Sequence, residues 1–229
     1  MRTNLLRNGF PERKLHLIYN GLDPDRFKPL RTREQVLAEL GIGKAAPLAG
    51  IVGNIKKWKG QEVVIKAMRR VIDRFPGARC LVIGDASEND REYMEHVTGL
   101  IASEGLGGSV IITGYRKDVP DLVNCLDVLV HASVEPEPFG RVLLEGMALG
   151  KPVISNTIGS GPEIVIDGVT GLLVEPGDEK SLAEAIIRVF GDPERSREMG
   201  RAGRKRLEEL FPVSENVKKT EELYLRMLP

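Results

Sequence analysis

Two glutamates, Glu137 and Glu145, are separated by seven residues, with Pro138-Phe139-Gly140-Arg141 opening into an apolar helical stretch between them. Glu137 precedes the helix and Glu145 lies about a turn and a half inside it, a rise of roughly 8 Å at ~1.5 Å per residue. A carboxylate accepts hydrogen bonds from two neighbouring hydroxyls, so this spread suits two hydroxyl-rich groups on either side of a diphosphate. An acid/base pair for glycoside hydrolysis and ordinary surface glutamates are the alternatives that spacing leaves open. Phe139, Gly140 and Arg141 at the start of the helix offer unpaired amides to an anion. Lys59, at the start of another helix, adds a positive charge that can stabilise a diphosphate as it departs. Taken singly, the glycine also reads as easing a turn and the lysine as solvated.

These residues fall on loops that follow apolar runs. The runs are Leu48–Val52, Cys80–Ile83, Val110–Thr113, Val128–His131, Pro152–Ser155 and Gly171–Val174, six strand candidates without polar alternation, as in a sheet buried on both faces. Helical stripes separate them, at 59–75, 88–104 behind Ser87, 118–125 and 140–149. The alternation predicts an α/β, Rossmann-like, doubly wound parallel sheet. A lead-in segment precedes it, with a strand at His16–Tyr19 and a helix capped by Thr32 and Gln35 and stopped at Gly41. Three helices follow, at 181–190, 193–209 and 213–228. The whole chain, 1–229, reads as one domain without repeats or linkers.

Ligands of such sheets bind at the carboxyl ends of the strands. There the sequence places Gly53-Asn54-Ile55-Lys56-Lys57-Trp58-Lys59-Gly60, then Gly84-Asp85, Gly114-Tyr115-Arg116-Lys117, Ser133 through Arg141, and Asn156 through Gly161. His131 reads as a structural hydrogen-bonder, with a cleft-facing role as the alternative, and Trp58 as a cover for the helix start. Asp23-Pro24-Asp25 imitates a metal-binding carboxylate pair but sits in a turn before the core. Neither a dinucleotide fingerprint after the first strand nor a phosphate loop ending in Gly-Lys-Ser/Thr occurs.

Composition narrows the classes further. The 229 residues carry 33 basic and 33 acidic side chains and 41% hydrophobic residues, which describes a globular protein and argues against a nucleic-acid binder. Residues 1–80 hold 17 basic and 7 acidic groups, leaving 16 and 26 for the rest. That cationic front could meet phosphates or an anionic membrane surface, or be solvated helix charge. Cys80 and Cys125 sit in apolar runs without metal-ligand spacing and read as buried thiols. With no apolar segment of membrane-spanning length, a cytoplasmic setting is expected.

The run from Glu137 to Ile154, with its E-x7-E pattern, resembles the signature of family 4 retaining glycosyltransferases, which have the GT-B fold. Tyr19-Asn20-Gly21-Leu22-Asp23, Gly53 with Lys59-Gly60, Gly161-Pro162-Glu163 and Asp167 through Val174 extend the resemblance over residues 15–227 in matching order. It implies the C-terminal, donor-binding half of such an enzyme, with 1–14 an interdomain segment and 213–229 a crossover helix. Glu145 would hold the ribose, Glu137 the donor sugar, and Lys59 with the amides of Phe139, Gly140 and Arg141 the diphosphate. Gly53, Asn54 and Gly84 would line the cleft, and the loop with Tyr115 and Arg116 would border the base. The family often has Arg where Asn54 stands, and Lys56 or Lys57 could compensate.

The implied substrate is a UDP- or GDP-sugar, with no metal and no other cofactor. The acceptor-binding domain would be supplied in cis or in trans, so that this chain alone turns over little or nothing. A stand-alone nucleotide-sugar module, half of a split enzyme and a sugar-nucleotide epimerase are the alternatives. The apolar side of the last helix suggests an interface and self-association, and the whole enzyme could sit peripherally on a membrane.

Overall fold

A computed structural model describes residues 2–228; Met1 and Pro229, the ends of the expected domain span, lie outside the described residues. Six strands, β1 (Leu48–Val52), β2 (Arg79–Ile83), β3 (Val110–Gly114), β4 (Val128–Val130), β5 (Val153–Asn156) and β6 (Gly171–Val174), form one parallel sheet. Their order is β3-β2-β1-β4-β5-β6. The chain reverses its winding between β1 and β4, where a doubly wound sheet opens a crevice.

Ten helices accompany the strands among the described residues: α1 (Arg2–Arg7), α2 (Arg33–Glu39), α3 (Gln61–Arg74), α4 (Arg91–Ser103), α5 (Val119–Cys125), α6 (Arg141–Ala148), α7 (Gly161–Ile164), α8 (Glu179–Gly191), α9 (Pro193–Leu210) and α10 (Val213–Met227). Period-two side chains divide the sheet between two cores. Ala49, Ile51, Cys80, Val82, Val128, Val130 and Ile154 face α3, α4 and α8. Leu48, Leu81, Ile83, Leu129 and Val153 face α2, α5, α6 and α9. The stripe Val64, Ala67, Met68 and Val71 seats α3 with no exposed surface, and Pro76-Gly77 prevents its continuation.

Local capping follows the residue types. Thr32 and Gln35 form the expected reciprocal capping box of α2. Asp178 accepts from the amides of Lys180 and Ser181 at the start of α8. Ser87 does not cap α4: its hydroxyl bonds the Asp90 carboxylate, and a 3-10 turn at Glu88–Asp90 precedes the helix. The expected strand at His16–Tyr19 is absent. That segment crosses toward α10, where the Asn216 side-chain amide donates to the Tyr19 carbonyl at 2.6 Å, and only Leu22 makes an isolated bridge, to Pro212. Both cysteines are buried and unpaired.

Asp23-Pro24-Asp25 is a turn in which Asp23 Oδ1 accepts from the Asp25 amide at 2.9 Å, while Asp25 pairs with Lys28. Among the described residues, no helix is long and apolar enough to cross a membrane. α10 carries exposed Val217, Tyr224, Leu225 and Met227.

Candidate active site

The loops after β1 and β4 meet at the reversal point. Leaving β1, the chain passes Gly53 and enters a 3-10 turn at Lys57–Lys59. Gly60 then starts α3 at φ +77°, and a Cβ there would stand 2.0 Å from the Ala132 carbonyl oxygen just beyond β4. Only glycine allows both the left-handed backbone and this approach. The Val134 amide donates to the Trp58 carbonyl at 2.8 Å, which fastens the two loops together.

This junction delivers Lys59 to Glu137. The ammonium reaches both carboxylate oxygens at 2.8 Å and lies 4.2 Å from the centre of the Trp58 ring. Glu137 Oε2 also accepts from Ser133 Oγ at 2.9 Å and lies 2.7 Å from His131 Nε2. The other His131 ring nitrogen is 3.2 Å from Ser155 Oγ. Burial alone would raise the Glu137 pKa, but hydrogen bonds from His131 and Lys59 and their charges hold it at about 2. The carboxylate is therefore an acceptor throughout the physiological range.

Loop 137–140 is anchored from the β5 side. Ser160 Oγ accepts from the Gly140 amide at 2.9 Å, and the Ser160 amide donates to the Glu137 carbonyl at 3.1 Å. Arg141 N donates to the Phe139 carbonyl at 3.0 Å. Of the three amides expected to be unpaired, those of Gly140 and Arg141 are corrected here: Ser160 satisfies the first, and the loop folds back on itself to satisfy the second. The Phe139 ring packs edge-on against Phe211, 6.3 Å between centroids, joining this loop to the end of α9.

Glu145 projects from α6 with 14% of its side chain exposed, 3.5 Å from Arg141 Nε. Burial raises its pKa, and the Arg141 charge opposes the rise. Arg141 itself is 67% exposed, so it can swing away from Glu145.

The remaining predicted residues lie along the same end of the sheet. Gly84, at φ +146°, presses on the β1 loop so closely that a Cβ would be 2.0 Å from the Gly53 oxygen. The Asn54 carbonyl accepts from buried Gln61 at 3.0 Å, leaving its side chain exposed. Lys56 lies 3.5 Å from Asp90, whereas Lys57 is exposed. Tyr115 is exposed. The Arg116 guanidinium is held by Asp118, at 2.8 and 2.7 Å, and by Glu39, at 2.8 Å, so its loop is braced by charge against α2.

The sequence reads His131 first as a structural hydrogen-bonder, and places Ser133 and Ser160 on the rim loops without a role. Their positions within four residues of the carboxyl ends of β4 and β5 were the available signal. Contact with Glu137 depended on the fold of loop 133–140.

The matrix of contacts at the reversal point is accompanied by clear relatives. Residues 32–206 match the family described as Glycosyl transferases group 1. Alpha-maltose-1-phosphate synthase of Mycolicibacterium smegmatis is 32% identical over 238 residues, 99% of this chain and 61% of that protein. N-acetyl-alpha-D-glucosaminyl L-malate synthase of Bacillus anthracis is 29% identical, over 95% of this chain and 55% of its own length. The chain thus spans little more than half the length of these curated relatives. Anabaena HepE, solved in complex with UDP, superposes with a TM-score of 0.91 at 29% identity, covering 97% of this chain and 61% of HepE. The C-terminal domain of Francisella tularensis LpcC, a glycosyl transferase group 1 protein, superposes at 0.76 with 28% identity, covering 84% of this chain and all of that one. With the parallel sheet, its reversal between β1 and β4 and the family match over most of its length, this chain belongs to the glycosyl transferases group 1 family and has the fold of the C-terminal domain of a GT-B enzyme.

Proposed function

We propose that this chain binds the sugar-nucleotide donor of a retaining, metal-independent glycosyltransferase, and that the donor is a UDP-sugar. The observation that carries this reading is the cluster of Lys59, His131 and Glu137 at the crevice between β1 and β4, with Glu145 on the adjoining helix. HepE, of the same fold, was solved with UDP and with UDP-glucose, which supports the choice of nucleotide.

In this reading the diphosphate draws the Lys59 ammonium from Glu137 and holds it as the leaving group gains charge. Glu137, kept ionised and oriented by His131 and Ser133, then accepts hydrogen bonds from sugar hydroxyls. Glu145, engaged by the exposed Arg141 only at 3.5 Å, has carboxylate oxygens available to accept from the two ribose hydroxyls. The acceptor is held by a second Rossmann-like domain, against which the exposed apolar side chains of α10 pack. Transfer therefore needs both domains, and the 229-residue chain alone binds donor without robust turnover.

Thermal denaturation of the chain with UDP, GDP and ADP tests the assignment, because a ligand of the native state raises the midpoint in proportion to the logarithm of its concentration over Kd. A rise with UDP that exceeds those with GDP and ADP is expected. Equal small rises for all three, or rapid sugar transfer by this chain alone, would overturn it.

A further inference from the structure

The amino ends of β1, β4 and β5, opposite the crevice, frame a second cavity of ≈ 370 Å³. A five-residue strand at ~3.3 Å per residue puts it roughly 16 Å from the donor loops. Four cations line it, Arg33, Lys44, Lys151 and Arg197, against one carboxylate, Asp127. Leu126 and Phe190 supply apolar wall.

The single acid is already engaged. Asp127 takes Arg33 through both oxygens, at 3.2 and 3.1 Å, and also accepts from the Leu48 amide at 2.8 Å. Arg33 is held in addition by the carbonyls of Cys125 and Ala46. The other three cations make no contact ion pair among the described residues: Glu34 acts on Lys44, and Asp127 on Lys151, only from farther away. Lys151 donates to the Asn124 carbonyl at 2.5 Å, and burial lowers its pKa, as expected of a desolvated ammonium facing a neutral oxygen. Lys44 and Arg197 have no carboxylate at ion-pair distance among the described residues. The wall bearing Arg197 is fixed, since α9 approaches the turn before Lys151 so closely that a Cβ on Gly200 would lie 1.9 Å from the Gly150 oxygen.

We propose that this cavity is a second ligand site, for a small organic phosphate monoester. Its phosphate sits among Lys151, Lys44 and Arg197, and its apolar or aromatic body lies against Leu126 and Phe190. A monoester carries roughly −2 at neutral pH, which three cations without a contact carboxylate match better than the single charge of a carboxylate would. The volume falls at the small end of ordinary ligand pockets, ~300–1,000 Å³.

The test is a titration of the 229-residue chain with 1-naphthyl phosphate, 1-naphthol and inorganic phosphate, followed by amide resonances. Shifts are expected at residues 44–46, 150–151 and 196–197, with naphthyl phosphate binding at least tenfold tighter than either fragment. Arg197→Ala and Lys44→Ala, both at exposed positions, should each weaken it at least threefold, and Lys151→Met at least fivefold if that variant folds. Saturating UDP should not displace the probe, which separates this site from the donor site whether or not UDP binds. The proposal is overturned by unshifted amides in these segments, by equal binding of naphthol, by variants that bind like the parent, or by shifts confined to 53–60 and 137–145.

Discussion

Lys59 and Glu137 lie 78 positions apart and follow different strands, yet the Lys59 ammonium bonds both oxygens of the Glu137 carboxylate at 2.8 Å. The pair exists because β1 and β4 are neighbours at the point where the sheet reverses its winding. Only 18% of the lysine and 14% of the glutamate side chain are exposed, so each charge depends on the other more than a surface pair would. In the proposed function a diphosphate would compete for the lysine, which would link the stability of the free site to its chemistry.

A double-mutant cycle on this pair should be strongly non-additive. Lys59→Met alone is expected to cost ~3 kcal/mol of unfolding free energy, because it strands a half-buried carboxylate on His131 and Ser133. Adding Glu137→Gln should recover about 1–2 kcal/mol. Urea denaturation of the four proteins gives the coupling, and additivity within ~0.3 kcal/mol would show the pair to be energetically idle.

The two glutamates should respond to pH in opposite directions. Glu137 has a depressed pKa, at about 2 in the folded chain, so its contribution is full above the unfolded value of ~4.3 and disappears as pH falls toward 2. Glu145 has a raised pKa, so it binds a proton more readily folded than unfolded, and its ionisation penalises the fold at neutral pH and is relieved in acid. Glu137→Gln should therefore lower the melting temperature at pH 7 and lose that effect near pH 2. Glu145→Gln should raise it at pH 7 by a few degrees and leave it unchanged near pH 3.

Gly60→Ala should be severe for so small a change. The methyl group would meet the Ala132 oxygen at 2.0 Å from a backbone at φ +77°. A left-handed non-glycine residue costs about 1–2 kcal/mol and the forced displacement about as much again. Chemical denaturation should show a loss of ~2–4 kcal/mol, together with weakened UDP binding as Lys59 moves with the loop. A loss below ~0.5 kcal/mol would mean that the β1 and β4 loops part freely.

His131 touches Glu137 rather than Lys59 or Glu145, so its removal should separate sugar from nucleotide. With His131→Ala, calorimetric affinity for UDP should stay within about threefold while the advantage of UDP-glucose over UDP falls. An equal loss for both ligands would place His131 in support of the whole crevice instead.

Much of the frame was legible because β-branched apolar runs and period-3.6 stripes are local signals. All six strand candidates overlap the observed strands, and Thr32 with Gln35 caps α2 as expected. The misread segment, His16–Tyr19, has partners near the other end of the chain: its Tyr19 carbonyl is taken by Asn216, 197 positions away. The rim was similarly readable at the level of loops and not of contacts. That Lys59 reaches Glu137, that Ser160 satisfies the Gly140 amide, and that Arg116 turns to Asp118 and Glu39 are consequences of tertiary folding, which no spacing encodes. The cationic cavity around Lys151 was hidden for the same reason, since Arg33, Lys44, Lys151 and Arg197 come from distant parts of the chain.

In the proposed function the crevice between β1 and β4 holds a uridine nucleotide through Lys59 and Glu145. Isothermal calorimetry of UDP against the chain and against Glu145→Ala checks this assignment. One-to-one binding by the parent and at least tenfold weaker binding by a variant that remains folded are expected. Equal affinity of the two folded proteins for UDP would place the nucleotide away from Glu145 and overturn the assignment.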